Sequence, residues 1–159
     1  MFGMILLPTY LPTFRIKPYN QPRGNMTKIL LVEDEKSIRD LYEIKLTKSG
    51  FNVVTADNGG KGWELAQKEI PDLILLDVMM PVMNGFDVLK KLREKAETKD
   101  IPVIILSNYG EVDQVTNGFL VGATDYLIKA EHTPSDVVQI INETLKIKGN
   151  IAGHAFKEE

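Results

Sequence analysis

From Met26 onward, short apolar runs and helical patterns alternate five times, and no other feature restricts the fold as much. Apolar or β-branched runs occupy residues 28–32, 51–56, 73–77, 101–107 and 124–128. Helical patterns fill the gaps near 36–49, 59–69, 84–96, 111–121 and 135–148. Runs this continuously apolar suit strands covered on both faces, as in a parallel sheet flanked by helices. Phe86, Leu89, Leu92 and Ala96 share one face of the third helix, and Val137, Ile140, Ile141 and Leu145 share one face of the last. The last helix opens with Thr133-Pro134-Ser135-Asp136, an N-cap followed by proline at the first helical position and an acid three residues after the cap.

Right-handed crossovers leave few ways to join such strands. The prediction is an α/β fold, a doubly wound five-stranded parallel sheet with the flavodoxin-like (βα)5 strand order 2-1-3-4-5. Residues 26–148 form this domain. Residues 1–25 differ: they hold Pro8, Pro12, Pro18 and Pro22, four of the eight prolines, and no pattern survives past Leu7. They are expected to be a disordered extension or an over-long start before Met26, with a short docking segment as the alternative. Met4–Leu7 is too short to cross a bilayer, and no cation precedes it as in a secretory signal. Residues 149–159 are expected to be a flexible tail.

Composition removes several chemistries. There is no cysteine, so disulfides, zinc ribbons and thiol catalysis are excluded, and His132 and His154 are too few for a histidine metal site. The net charge is −3, but residues 1–25 carry Arg15, Lys17 and Arg23 with no acid, which leaves −6 on the remainder. An acidic body disfavours direct contact with nucleic acid, whose phosphates are met by Lys and Arg.

In parallel α/β sheets ligands gather at the C-terminal ends of the strands. Here those ends deliver Glu33 and Asp34 from the first strand, Asp77 from the third, Ser107 from the fourth and Lys129 from the fifth. Carboxylates roughly 5 Å apart repel by about 3 kcal/mol at an effective dielectric of about 20. A divalent cation, a raised pKa or a covalent modification relieves that repulsion. Oxygen ligands alone suit Mg²⁺. Ser107 offers a hydroxyl, Lys129 a point charge for a phosphoryl group, and Asp77 a nucleophile for an aspartyl phosphate. Each residue alone has a plainer reading: Asp77 as a helix N-cap, Ser107 as a turn serine, Lys129 as a solvated lysine, Tyr126 as a half-buried strand aromatic. Their joint placement at strand ends argues against those readings. Trp63, beside Gly59, Gly60 and Gly62, is expected to pack rather than bind.

Four segments carry a resemblance that covers most of the chain, from about Lys28 to Leu145. They are Leu31-Val32-Glu33-Asp34-Glu35, Asp72 to Gly85 around Asp77, Ile104-Ile105-Leu106-Ser107, and Gly122 to Lys129. Together they resemble the receiver domain of two-component response regulators, of the stand-alone, chemotaxis-regulator-like type. The resemblance implies that Asp77 is the phosphoacceptor and that Mg²⁺ is held by Glu33, Asp34, Asp77 and the backbone carbonyl of Met79. It implies that Ser107 and Lys129 contact the phosphoryl group, and that Ser107 and Tyr126 form the switch. The implied partners are a sensor histidine kinase or a histidine phosphotransfer protein, and a downstream protein meeting the fourth helix, fifth strand and fifth helix. The protein is then cytoplasmic, a monomer or phosphorylation-dependent dimer, without membrane or nucleic acid as direct partner. It is no enzyme beyond its own phosphorylation and dephosphorylation. The alternative is a receiver-like interaction module that works unphosphorylated. Glu33-Asp34-Glu35 would repel a flavin phosphate, which argues against a flavodoxin, and purified protein that is colourless would exclude it. A haloacid-dehalogenase-type phosphatase wants an aspartate where Met79 stands.

Four positions depart from the family pattern. Asn108 follows the hydroxyl residue where a small side chain is usual. Ala130 follows Lys129 where proline is usual, which makes a cis bond improbable. Met79 and Tyr109 stand where polar residues often position attacking water. Slow self-dephosphorylation is therefore predicted, and a phosphoryl half-life of seconds in purified protein with Mg²⁺ would contradict it.

Overall fold

The computed structural model describes residues 26–154, with side chains described as far as Lys148. Both termini beyond those limits, including the predicted extension at 1–25, lie outside the described residues. Strands β1 (Lys28–Val32), β2 (Asn52–Ala56), β3 (Leu73–Leu76), β4 (Val103–Ser107) and β5 (Asp125–Ile128) alternate with helices α1 (Lys36–Lys48), α2 (Gly59–Glu69), α3 (Gly85–Glu94), α4 (Val112–Val121) and α5 (Pro134–His154). A 3-10 turn over Lys129–Glu131 precedes α5. All pairings are parallel, and the strand order is β2-β1-β3-β4-β5, as expected from the sequence.

Strand residues alternate between two cores, which is why the strands read as unbroken apolar runs. Leu30, Val32, Ile74, Leu76, Val103 and Ile105 pack with Ala66, Val88, Leu89 and Leu92 on one side. Ile29, Leu31, Leu73, Leu75, Ile104 and Leu106 pack with Tyr42, Leu46, Val137, Ile141 and Leu145 on the other. Helices α1 and α5 therefore cover one face of the sheet, and α2 and α3 cover the opposite one.

The last helix starts as the sequence predicts. The Thr133 N–H donates to Asp136 Oδ2 at 2.8 Å and the Asp136 N–H returns a bond to Thr133 Oγ1 at 3.2 Å, a reciprocal cap. Its end departs from expectation: α5 runs to His154 rather than stopping at Lys148. Gly149 and Asn150 weaken a helix by up to about 1 kcal/mol each without ending it. Conversely, α3 stops at Glu94, because Lys95 turns extended at φ −102° and ψ 134°. Ala96 consequently leaves the inward face assigned to it and is exposed. The buried Thr98 completes that end by donating its hydroxyl to the Leu92 carbonyl at 2.8 Å.

Two glycines let α2 approach its neighbours rather than merely loosening it. A Cβ at Gly62 would lie 2.8 Å from a Val32 methyl, and one at Gly59 would lie 2.0 Å from the Met83 carbonyl oxygen. Trp63 packs as expected, with the ammonium groups of Lys91 and Lys95 at 5.9 and 5.6 Å from its ring centre. Gly59→Ala must displace the backbone of the loop before α3, and a cost of about 2 kcal/mol is expected. At Gly60 the nearest contact of a Cβ is Asn58 Oδ1 at 3.2 Å. Gly60→Ala should therefore stay within about 1 kcal/mol of the parent, because helix propensity offsets the contact. Urea unfolding of the two variants checks the contrast.

Candidate functional site

Strand register sets the site. Val32 pairs with Leu76, and Leu76 pairs with Ile105, so β1 and β3 finish flush while β4 runs two residues further, to Ser107. The ladder continues past the strand ends: the Glu33 N–H donates to Ala56 O and the Asp77 N–H to Val32 O, both at 3.0 Å. Glu33 and Asp77 thus rise side by side from adjacent strands. Arg39, on α1, donates Nη1 to the carbonyls of Glu33 and Asp34 at 2.9 and 3.2 Å and holds the loop that carries the acids.

Carboxylate oxygens of Glu33, Asp34 and Asp77 lie within 4.8 Å of one another. Glu33 and Asp77 are buried and Asp34 is exposed. Lys129, just past β5, extends Nζ to Glu33 Oε2 at 2.6 Å and to Asp77 Oδ1 at 3.5 Å. Asp77 Oδ1 also accepts the Val78 N–H at 2.9 Å. The glycine that opens α3 permits this packing, since a Cβ at Gly85 would lie 2.2 Å from the Asp77 carbonyl oxygen. Asp77, Glu33, Asp34, Glu35, Met79, Asn108, Tyr109 and Lys129 line one cavity of about 340 Å³.

One ammonium faces three carboxylates, and the imbalance is registered at Asp77. Its pKa is raised to about 7, first by burial and then by Glu33, with Asp34 adding to the rise and Lys129 opposing it. The same potential reaches the Tyr42 phenol, raised by burial and then by Glu33. Oxygen-only donors, two of them buried, with uncompensated negative charge between them fit a hard divalent cation such as Mg²⁺. Met79 lines the cavity, and its side chain points into the open, 57% exposed.

Of the residues singled out in the sequence, Glu33, Asp34, Asp77, Met79 and Lys129 come together here. Ser107 and Tyr126 lie beside the cavity, not in its lining. Ser107 is fully buried, and its Oγ accepts the Tyr109 N–H at 3.1 Å. Tyr126 is 8% exposed and donates its hydroxyl to the Tyr109 carbonyl at 2.7 Å. The main chain of Tyr109 therefore joins both. No cis peptide occurs among the described residues, so the Lys129–Ala130 bond is trans, as expected. In the loop after Asp77, Val82 takes φ 73°, a left-handed conformation that costs a β-branched residue roughly 1–3 kcal/mol.

Residues 29–142 match the response regulator receiver domain family. The chain belongs to that family. It is 40% identical over 119 residues to a probable transcriptional regulator, ycf27, of Porphyra purpurea, covering 75% of this chain and 47% of that one. It is 41% identical over 116 residues to the DNA-binding dual master transcriptional regulator RpaA of Synechocystis, covering 73% of this chain and 46% of that one. The chain thus spans about half the length of these relatives. Among solved structures, chemotaxis protein CheY4 of Vibrio cholerae superposes with TM-score 0.71 at 34% identity, over 75% of this chain and 98% of that one. A CheY-like receiver protein of Methanospirillum hungatei gives 0.74 at 25% identity, over 79% and 98%. The receiver fold and family expected from the strand-end motifs are thereby shown.

Sequence reasoning missed Arg39, whose contacts depend on the path of the loop after β1, which has no pattern of its own. It also missed that the Tyr109 main chain is hydrogen-bonded to both Ser107 and Tyr126.

The pKa of Asp77 yields a signed pH dependence. A carboxyl whose folded-state value of about 7 exceeds the ordinary 3.8 binds its proton more tightly when folded. Its contribution to stability is therefore greatest at low pH and is lost as the pH climbs toward 7. In metal-free buffer, Asp77→Asn should be more stable than the parent at pH 8, with the gap closing toward pH 4. Denaturant unfolding at both pH values, in chelator, would reveal a constant gap if this assignment is wrong.

Proposed function

We propose that this receiver accepts a phosphoryl group on Asp77 from a phosphohistidine of a sensor kinase or phosphotransfer protein. The observation that carries the reading is the meeting of Glu33, Asp34, Asp77 and Lys129 in one cavity. An Asp77 carboxylate oxygen attacks phosphorus, the phosphorus–nitrogen bond to the donor imidazole breaks, and the imidazole departs with the electron pair. Glu33, Asp34, Asp77 and the Met79 carbonyl would hold Mg²⁺. When bound, the ion supplies charge neutralisation for the phosphoryl oxygens. Lys129 supplies a further positive contact to those oxygens, a role that its 3.5 Å separation from Asp77 Oδ1 supports. Beyond this self-modification the chain is not an enzyme.

Signalling follows from the Tyr109 peptide. A Ser107 hydroxyl that turns to donate to the phosphoryl group gives up the Tyr109 N–H, and the loop into α4 is released on that side. Tyr126 then fixes the rearranged loop through the Tyr109 carbonyl. The surface so altered is the face of α4, β5 and α5, where Val112, Phe119 and Leu120 are exposed. Output through protein contact fits that apolar surface. DNA binding is a property named for the Synechocystis relative, of which about half has a counterpart here. No helix among the described residues is long and apolar enough to cross a membrane, which fits a cytoplasmic signalling role.

Incubation with Mg²⁺ and acetyl phosphate, read by intact mass, tests the assignment. The parent should gain one phosphoryl group, Asp77→Asn none, and Lys129→Met should label about 10²-fold more slowly. Equal labelling of Asp77→Asn would refute the reading, and absence of any adduct on the parent would favour a module that works unphosphorylated.

A further inference from the structure

At the edge of the sheet opposite Asp77, a cleft of about 380 Å³ opens where the starts of β4 and β5 meet the ends of α3 and α5. Arg93 lines it, and the bonding of that guanidinium is lopsided. Nε donates to the Gly122 carbonyl at 2.9 Å, and Nη1 donates to the carbonyls of Lys99 at 3.0 Å and Ile101 at 2.8 Å. Nη2 donates to no protein atom among the described residues. No buried side-chain nitrogen among them lacks a partner, so Nη2 must reach solvent. Nor does any carboxylate among those residues form an ion pair with Arg93. Burial draws its pKa down, and Asp100 opposes this from beyond ion-pair distance. A half-buried cation held by carbonyl dipoles alone, with two N–H groups unclaimed, lacks an anion.

The rest of the lining says which anion. Ile101 and Pro102 are buried beside the cleft, and Ile147 on α5 forms an apolar wall that is 60% exposed. The hydroxyls at the cleft are already engaged: Thr124 Oγ1 accepts the Val103 N–H at 3.0 Å, and Thr144 Oγ1 donates to the Ile140 carbonyl at 2.8 Å. Lys148 adds a second cation, while Asp100 and Asp125 set two acids against the pair. One negative charge can therefore be matched by Arg93, and a second is repelled by the acids. We infer that this cleft binds a small monocarboxylate with a compact apolar body, its carboxylate on Arg93 Nη2 and its body against Pro102 and Ile147. The inference does not depend on the phosphoacceptor reading, and neither falls with the other. Arg93 also holds Gly122, the left-handed residue that closes α4. A carboxylate that fixes the guanidinium thereby steadies the end of a helix on the output face.

The test follows the full ¹⁵N-labelled chain by NMR while 4-methylpentanoate is titrated, reading the Arg93 Nε–H and the amides of Gly122, Thr124 and Asp125. These signals should move together with a Kd of roughly 1–10 mM, the range for a ligand of about eight non-hydrogen atoms. The uncharged 4-methylpentanamide, of the same shape, should bind at least fivefold more weakly. Sulfate, a dianion, should leave these signals in place. Ile147→Glu sets a carboxylate in the wall without touching any Arg93 bond and should weaken binding at least tenfold, whereas Ile147→Leu should bind as the parent does. Arg93→Gln should also lose binding, and Ile147→Glu keeps the test decisive if that variant unfolds. Equal affinity for the amide would overturn the pairing with Arg93, and sulfate-induced shifts of the same signals would overturn the monocarboxylate class. Signals unchanged through about 50 mM 4-methylpentanoate, or binding indifferent to Ile147→Glu, would sink the site itself.

Discussion

Three carboxylates held within 4.8 Å of one another, against one ammonium, are the constraint around which the C-terminal edge of this sheet is arranged. Side chains free to move would separate, because each close pair costs about 3 kcal/mol even at an effective dielectric of about 20. They stay together because the backbone beneath them has no freedom to yield. Glu33 and Asp77 are each anchored by a ladder hydrogen bond to the neighbouring strand, and Arg39 ties the intervening loop through two carbonyls. The rest of the molecule can be read as the support that keeps this repulsion in place.

That support comes mainly from the two cores. Burying one aliphatic side chain contributes roughly 1.5–3 kcal/mol, and both faces of β1, β3 and β4 are covered by such residues. A buried strand cannot slide by one residue without turning every side chain to the opposite face. The register that sets Val32 against Leu76 is consequently the same register that sets Glu33 against Asp77. Stability below the strand ends and unfavourable charge above them are thus linked by geometry. The raised Asp77 pKa is a local departure from what packing alone would choose, and it lies at the site.

The fold and most of the site were legible in the sequence because two-sided burial writes a strand as an unbroken apolar run, and a carboxylate ending such a run has only one edge to occupy. Other features carried no such mark. Gly59 reads as a weak point in a helix, and only the path of a distant loop shows that Met83 rests against it. Ala96 keeps helical spacing, yet α3 ends before it because Thr98 folds back onto Leu92 O. The Glu33–Lys129 contact spans 96 residues of sequence and depends on side-chain length rather than on any periodicity. Ser107 was recognised by position, but whether its hydroxyl faces the cavity or the Tyr109 N–H is a matter of rotation that no pattern encodes.

The path from the site to the outer surface is short and has a single narrow point. The Tyr109 peptide accepts from Tyr126 on one side and donates to Ser107 on the other. The Tyr126 ring in turn lies under α4 where Gly118 permits close approach, since a Cβ there would sit 2.9 Å from ring carbon Cδ2. Gly118 is the one buried residue of α4, so the ring is a principal part of what that helix rests on. At its far end α4 is tied down: Arg93 donates Nε to the Gly122 carbonyl at 2.9 Å and Nη1 to the Ile101 carbonyl at 2.8 Å. A helix anchored at its C-terminus and thinly packed along its length is held least at its N-terminal end. Val112 opens that end and is 78% exposed. Under the phosphorylation proposed above, a rotation of the Ser107 hydroxyl would act on this least-held end, provided the two arrangements differ by only a few kcal/mol.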